Sequence, residues 1–175
     1  MEPRPVRAWL VLGANLGNAA RSVRSALRAL NGLPHTRLLR HSSLLLTSPV
    51  GRTRQPDFVN CGALIRTRLS PMGLLTELKR LEALAGRRPG PRWGPRPLDI
   101  DIAAYGGRRL RSPLLTLPHP RLLERRFALA ALAELSPGMR LPGTSRTLGA
   151  LSAAFRDSSQ NVRVLSSRRR DDAHG

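Results

Sequence analysis

The chain has 175 residues, enough for one domain with a buried core. It carries 30 basic against 11 acidic residues, a formal net charge of +19, which keeps nucleic-acid binding open, although 3% aromatic content is thin for a base-stacking platform. No apolar run approaches the ~20 residues that span a bilayer, and the lone Cys61 excludes an intrachain disulfide and suits a reducing compartment; a cytoplasmic protein with no membrane attachment is expected.

In chain order, residues 6–12, apolar except for Arg7, read as a buried strand that stops at Gly13. Asn18 can cap a helix to about Leu30, with Val23, Ala26, Leu27 and Leu30 at helical spacing; Asn31-Gly32 and then Pro34 end it. Residues 36–46 read as a second strand, and 47–57, with two prolines and a glycine, as a loop. A third strand covers 58–69, where Val59, Cys61, Ala63 and Ile65 alternate with Asn60, Gly62, Leu64 and Arg66. Ser70-Pro71 is an N-cap with proline in the first turn, opening a helix whose apolar face is Leu74, Leu75, Leu78, Leu81 and Leu84 and which Gly86 ends. A Gly/Pro/Arg loop over 87–97 leads to a strand carrying Asp99, and Gly106-Gly107 makes a turn. Pro120 opens a helix to about Leu135, and a short one covers 148–155. The order β-α-β-β-α-β with additional C-terminal helices is the ferredoxin-like arrangement of an α+β fold, which by itself decides no function.

The run Arg-Trp-Gly-Pro-Arg-Pro-Leu-Asp-Ile-Asp, residues 92–101, carries the most chemistry. Asp99 and Asp101 alternate with Ile100 and Ile102, so on a strand both carboxylates share one face, roughly 6.5 Å apart along the chain. Like charges so placed are tolerated when cations lie between them, which makes metal-assisted phosphate chemistry the first hypothesis; the plain alternative is a solvated strand face. Arginine forks suit phosphate oxygens, and Arg87, Arg92 and Arg96 flank the doublet. Lys79 is the only lysine, and arginines are scattered along the whole chain with abundant Ala, Gly and Pro, so codon bias accounts for most of them.

Five segments together resemble the 6-hydroxymethyl-7,8-dihydropterin pyrophosphokinase family: Leu-Gly-Ala-Asn-Leu-Gly at 12–17, Thr-Ser-Pro-Val-Gly at 47–51, Gln-Pro-Asp-Phe-Val-Asn at 55–60, the 92–101 run, and Pro-His-Pro-Arg at 118–121. The resemblance covers residues 6–142. It implies transfer of pyrophosphate from ATP to a pterin alcohol with release of AMP, in folate biosynthesis. It assigns two Mg2+ ions to Asp99 and Asp101, with Arg96 completing a catalytic set. It places ATP near Glu82, Arg87, Arg92, Trp93, Leu115, Thr116, His119 and Arg125, with Arg88 an alternative to Arg87 because register in that loop is ambiguous. The pterin falls to Thr47, Val50, Phe58, Asn60 and Phe127. Without the resemblance, core packing is the better reading of Phe58 and Phe127, and loop packing an equal reading of Trp93. No residue stands out as a general base.

The expected organisation is one pyrophosphokinase domain over 1–158 and a polar, disordered tail over 159–175. The expected partners are ATP and a pterin alcohol, with no specific nucleic acid, acting on a monomer. The competing readings are a ferredoxin-like RNA-binding module and an inactive relative. The first lacks the aromatic set such a sheet needs, and the second is at odds with the presence of every motif.

Overall fold

The computed structural model describes residues 3–49, 54–88, 94–157 and 159–165. Strand β1 (Val6–Ala14) is buried from Ala8 onward because both its faces are covered, which is why its sequence past the exposed Arg7 carries no polar side chain. Helix α1 (Ala19–Leu30) starts where Asn18 accepts the Arg21 N–H and buries Val23, Ala26, Leu27 and Leu30. The single strand expected over 36–46 is two: β2 (Thr36–His41) and β3 (Leu45–Thr47). Ser42 explains the break. Its N–H donates to the Gly62 carbonyl, its hydroxyl accepts the Gly62 N–H at 2.8 Å and donates to its neighbour's carbonyl, so the side chain takes over the pairing.

Strand β4 (Phe58–Thr67) leads to α2 (Pro71–Leu84), capped by Ser70 on the Gly73 N–H. Two features of α2 differ from its apolar pattern. Leu84 is 76% exposed, and Glu82, on the same turn, is 2% exposed. Gly86 follows with φ +88°, a left-handed stop that glycine adopts without strain. Strand β5 is Asp99–Tyr105, followed by a small ladder of β6 (Leu110–Arg111) and β7 (Thr116–Leu117). The continuous helix expected from Pro120 is interrupted: a 3-10 turn over Leu122–Glu124, then an extended Arg125, then α3 (Arg126–Leu135). Helix α4 is Leu148–Ala153. Beyond it, Val162–Val164 forms β8 rather than part of a disordered tail, held by antiparallel pairing with β3.

The architecture is a mixed α and β fold on one antiparallel sheet. Its order is β5-β1-β4-β3-β8, with β2 pairing the other end of the same β4 edge. Helices α1 and α2 cover one face, packing Leu27, Leu30, Leu74 and Leu78 on Leu10, Leu12, Ile65, Ile100 and Ile102. Helices α3 and α4 cover part of the other, packing Leu129, Leu132 and Leu148 on Trp9, Val11, Leu64 and Ala103. Gly62 lets α3 approach: a Cβ there would meet the Ala131 backbone at 3.2 Å. A register shift between Trp9 and Leu10 leaves Ala103 as the extra residue of a bulge in β5, so the apolar alternation changes sides just past the carboxylates. Among the described residues no helix is long and apolar enough to cross a membrane.

Candidate active site

The sheet face that α3 leaves uncovered carries a cavity of about 600 Å³. Its floor follows from register. Gly13 on β1 lies opposite Asp99 on one side and Asn60 on the other, and Val11 lies opposite Asp101. Since Ile100 and Ile102 enter the α1/α2 core, both carboxylates face the cavity, as alternation requires. Gly13 between Asp99 and Asn60 is a spatial necessity: a Cβ there would stand 2.6 Å from Asn60 Oδ1. Asn60 donates its Nδ2 to Thr47 Oγ1 at 2.7 Å, which fixes the plane of its amide.

Guanidinium groups hold the carboxylates. Arg96 Nη1 donates to Asp99 Oδ2 at 2.7 Å, Arg87 Nη1 donates to Asp99 Oδ1, and Arg125 Nη1 donates to Asp101 Oδ2 at 2.9 Å. Burial alone would raise the Asp99 carboxyl, but Arg96 and Arg87, with help from Lys79, outweigh it and hold its pKa below the ordinary value. Asp99 is therefore a carboxylate at neutral pH. Arg87 reaches across from the end of α2, where Glu82 Oε2 holds the same Nη1 at 2.5 Å. Glu82 also accepts from Lys79 Nζ at 2.9 and 3.0 Å and from the Ile100 N–H at 2.7 Å. Burial nevertheless pushes its pKa up. His119 accepts the Arg121 N–H on Nδ1, which leaves its proton on Nε2, 3.7 Å from Asp101 Oδ2. Burial lowers the His119 pKa, against the pull of Asp101.

Of the residues singled out from sequence, Thr47, Phe58, Asn60, Arg96, Asp99, Asp101, His119, Arg125 and Phe127 line this one cavity. Phe58 and Phe127 are half-buried at its walls rather than sealed in the core. Arg87 touches the site through Asp99 alone. Leu115 is buried in the α1/α2 core and Thr116 half-buried on β7, both away from the cavity lining. Glu82 lies behind the sheet with its oxygens taken, so it holds Arg87 and the Ile100 backbone and is not placed to touch a nucleotide. Val50, Arg92 and Trp93 lie outside the described residues.

Sequence reading passed over Asn15. It is 2% exposed, donates Nδ2 to Gln55 Oε1 at 2.9 Å and to the Pro56 carbonyl at 3.2 Å, and accepts the Arg96 N–H on Oδ1 at 2.8 Å. One side chain thus ties both site-flanking loops to the end of β1. The available signal was a polar residue directly after an apolar strand, inside one of the recognised segments. Asp157, Gln160, Asn161 and Val162 also line the cavity, and no local pattern pointed to them.

The donor set fits a hard cation. Among the described residues no group of three or more His, Cys, Asp or Glu side chains is gathered for a metal. Two carboxylates facing a wet cavity instead suit Mg2+, which keeps several waters and shares phosphate oxygens.

A family model described as 7,8-dihydro-6-hydroxymethylpterin-pyrophosphokinase matches residues 9–137. The 2-amino-4-hydroxy-6-hydroxymethyldihydropteridine pyrophosphokinase of Pseudomonas aeruginosa is 42% identical over 136 residues, covering 78% of this chain and 84% of the relative. That of Haemophilus influenzae is 39% identical over 139 residues, covering 79% and 87%. Among solved structures, Plasmodium falciparum HPPK-DHPS with pterin and p-hydroxybenzoate superposes with a TM-score of 0.68 over 87% of this chain. At 15% identity that likeness shows the fold alone, and this chain spans only 42% of the Plasmodium chain. With more than two thirds of its length matched by the family model and by both bacterial enzymes, the chain belongs to the 7,8-dihydro-6-hydroxymethylpterin pyrophosphokinase family.

Proposed function

We infer that the protein transfers pyrophosphate from ATP to the hydroxymethyl group of 6-hydroxymethyl-7,8-dihydropterin, releasing AMP, as a step of folate biosynthesis. The observation that carries this reading is the shared cavity: the Asp99/Asp101 floor and its arginines meet Phe58, Asn60, Thr47 and Phe127 in one space. The substrate hydroxyl oxygen attacks the β-phosphorus of ATP. The bond from that phosphorus to the α–β bridging oxygen breaks, AMP leaves with the electron pair, and the hydroxyl proton passes to solvent. Catalysis of this kind rests on positioning and charge stabilisation. Asp99 and Asp101 hold Mg2+, two ions in this reading, and bound there the metal supplies neutralisation of the polyphosphate and acidification of the attacking hydroxyl. Arg96 and Arg125 pass from the carboxylates to phosphate oxygens, and the His119 Nε2–H donates to the nucleotide. Leu115 and Thr116 lie outside the cavity lining, so only the chain around β7, packed beside β5, is left to border the adenine. Phe58 and Phe127 sandwich the flat pterin, while the amide of Asn60 and the backbone near Thr47 read its edge. The order β-α-β-β-β-α-β, with β2 and β3 as two pieces of one strand along β4, and the sheet order β5-β1-β4-β3 support a ferredoxin-like core.

The test follows AMP formation from ATP, 6-hydroxymethyl-7,8-dihydropterin and Mg2+. Wild type makes AMP only with the pterin present, and Asp99→Ala and Asp101→Ala each lose at least about a hundredfold in kcat. No pterin-dependent AMP, or undiminished turnover by Asp99→Ala, defeats the reading.

A further inference from the structure

Helix α3 supplies Phe127 and begins directly after Arg125, yet its first turn has no cap of its own: Arg125 makes no side-chain capping bond. The cap arrives from 34 residues downstream. Gln160 Oε1 accepts the Arg126 N–H at 2.8 Å, and the Gln160 carbonyl accepts Arg126 Nη1 at 3.1 Å. The same amide donates Nε2 to the Glu124 carbonyl at 2.8 Å and to Asp157 Oδ2 at 3.1 Å. Both ends of one glutamine side chain therefore lock the turn in which the chain passes from the 3-10 segment through Arg125 into α3. Two residues on, β8 joins the sheet, with Val162 opposite Thr47, and the Leu165 N–H donates to the Leu44 carbonyl at 2.8 Å. At these anchors Gln160, Asn161 and Val162 line the cavity together with Phe58 and Thr47, Val162 being the ladder neighbour of Thr47. All of this lies beyond residue 137, where the family match ends.

We propose that this C-terminal segment is a positioning element of the pterin half of the site, with Gln160 setting Phe127 and Arg125 through the α3 cap and Asn161 and Val162 closing the pterin pocket. The segment bonds the start of α3, which carries Phe127, and pairs with β3, which carries Thr47, so its loss loosens the pterin side of the site and reaches the carboxylates only through Arg125. Asp99 and Asp101 take their arginines from Arg87, Arg96 and Arg125, and the first two belong to segments the extension does not hold.

The inference rests on the pyrophosphokinase reading, and the experiment separates the two. Full-length Gln160→Ala and Leu165→Pro, which undo one anchor each, are compared with wild type by calorimetric titration of two ligands. One is a nonhydrolysable ATP analogue with Mg2+; the other is 6-hydroxymethylpterin in the presence of that analogue. Gln160→Ala is at the surface and keeps the core, and thermal unfolding checks both variants. The expected result is about a fivefold or greater loss of pterin affinity in each variant, the scale of a lost helix cap, with a smaller loss of analogue affinity, since Arg125 is one of three arginines on the carboxylates. In steady state the same variants raise the pterin KM more than they lower kcat. Pterin affinity equal to wild type in both variants, or an equal loss for both ligands, overturns the positioning role while leaving the pyrophosphokinase reading intact. Failure of wild type itself to bind the pterin overturns both.

Discussion

Removing the Asn15 amide tests whether the strand end organises the site. The side chain makes three hydrogen bonds in a place with almost no solvent: two donated to the Gln55 and Pro56 side of one loop, one accepted from the Arg96 N–H of the other. In Asn15→Ala the Arg96 N–H and the Pro56 carbonyl lose these partners, and water must enter or the loops must part. At ~0.5–1.5 kcal/mol net per bond, with a further penalty for any group left buried, the loss is about 2–4 kcal/mol. A domain of this size has roughly 5–15 kcal/mol in hand, so the variant folds. With a urea m-value of about 2 kcal/mol/M, the unfolding midpoint falls by about 1–2 M. The Arg96 backbone then keeps only the bond from the residue 15 N–H to its carbonyl, so the guanidinium that holds Asp99 is less firmly placed, and kcat falls along with stability. Asn15→Asp separates the arms: it keeps the acceptor for the Arg96 N–H and loses the donor to Gln55 and Pro56, so it retains more kcat than Asn15→Ala. Urea unfolding followed by far-UV circular dichroism, together with steady-state AMP release, measures both effects. An Asn15→Ala midpoint and kcat indistinguishable from wild type would show that the two loops are anchored elsewhere and refute the argument.

Gly13→Ala drives a methyl group against Asn60 Oδ1, so it weakens pterin binding, and in a double-mutant cycle with Asn60→Ala the two losses are less than additive. Arg7, Arg66 and Arg37 stand directly opposite one another on β1, β4 and β2, all exposed; Arg66→Thr relieves the repulsion and raises stability by about 0.2–1 kcal/mol in denaturant titrations, a gain that shrinks as salt is added. Burial raises the Cys61 thiol pKa, with hydrogen bonds to Ser42 opposing. A raised folded-state pKa gives stability that is complete below the unfolded value and lost as pH rises through the folded one, so wild type loses stability above about pH 8.5 and Cys61→Ser loses less; Tyr105, also raised by burial, is common to both proteins and cancels in the comparison. Calorimetric titration of Mg2+ without nucleotide shows binding at least about tenfold weaker than with the ATP analogue present, since the carboxylates are held by arginines that only phosphate can take over.

Local physics made much of the fold readable. Asn18 and Ser70-Pro71 mark their helix starts by chemistry within three residues, and Val59 to Ile65 alternates because that strand has two different sides. What escaped depends on distant partners. The second strand breaks because Ser42 pairs with Gly62, 20 residues on, and Arg125 leaves the helix because Asp101 and Gln160 are elsewhere in the chain. Strand β8 has three residues, too few for any period to register. Glu82 occupies a position where the helical pattern demands an apolar residue, and only Lys79, Arg87 and the Ile100 N–H together make a buried carboxylate tolerable. The gathering of residues in one cavity was legible where a motif names them, as at Asp99 and Arg96. It was not legible where a residue serves by tying segments together, as Asn15 and Gln160 do, because such a role exists only after the chain has folded.

The arginine-held doublet explains why two adjacent carboxylates on a half-covered strand do not unfold this sheet edge. Asp99 is matched by two guanidiniums and Asp101 by one, so the cations that a like-charged pair requires are built into the chain. Breaking a partly buried ion pair from one side leaves the remaining charge without compensation, at a cost of several kcal/mol. A cation arriving alone would release arginines with nothing to receive them, and a polyphosphate arriving alone would draw the arginines off and expose the carboxylates. Only a ligand that carries both signs exchanges all partners at once. In the proposed reaction the same side chains would therefore select for a metal–polyphosphate over either component. The tether of Arg87 to Glu82 would give that exchange a direction, since this arginine would keep one buried carboxylate on letting go of Asp99.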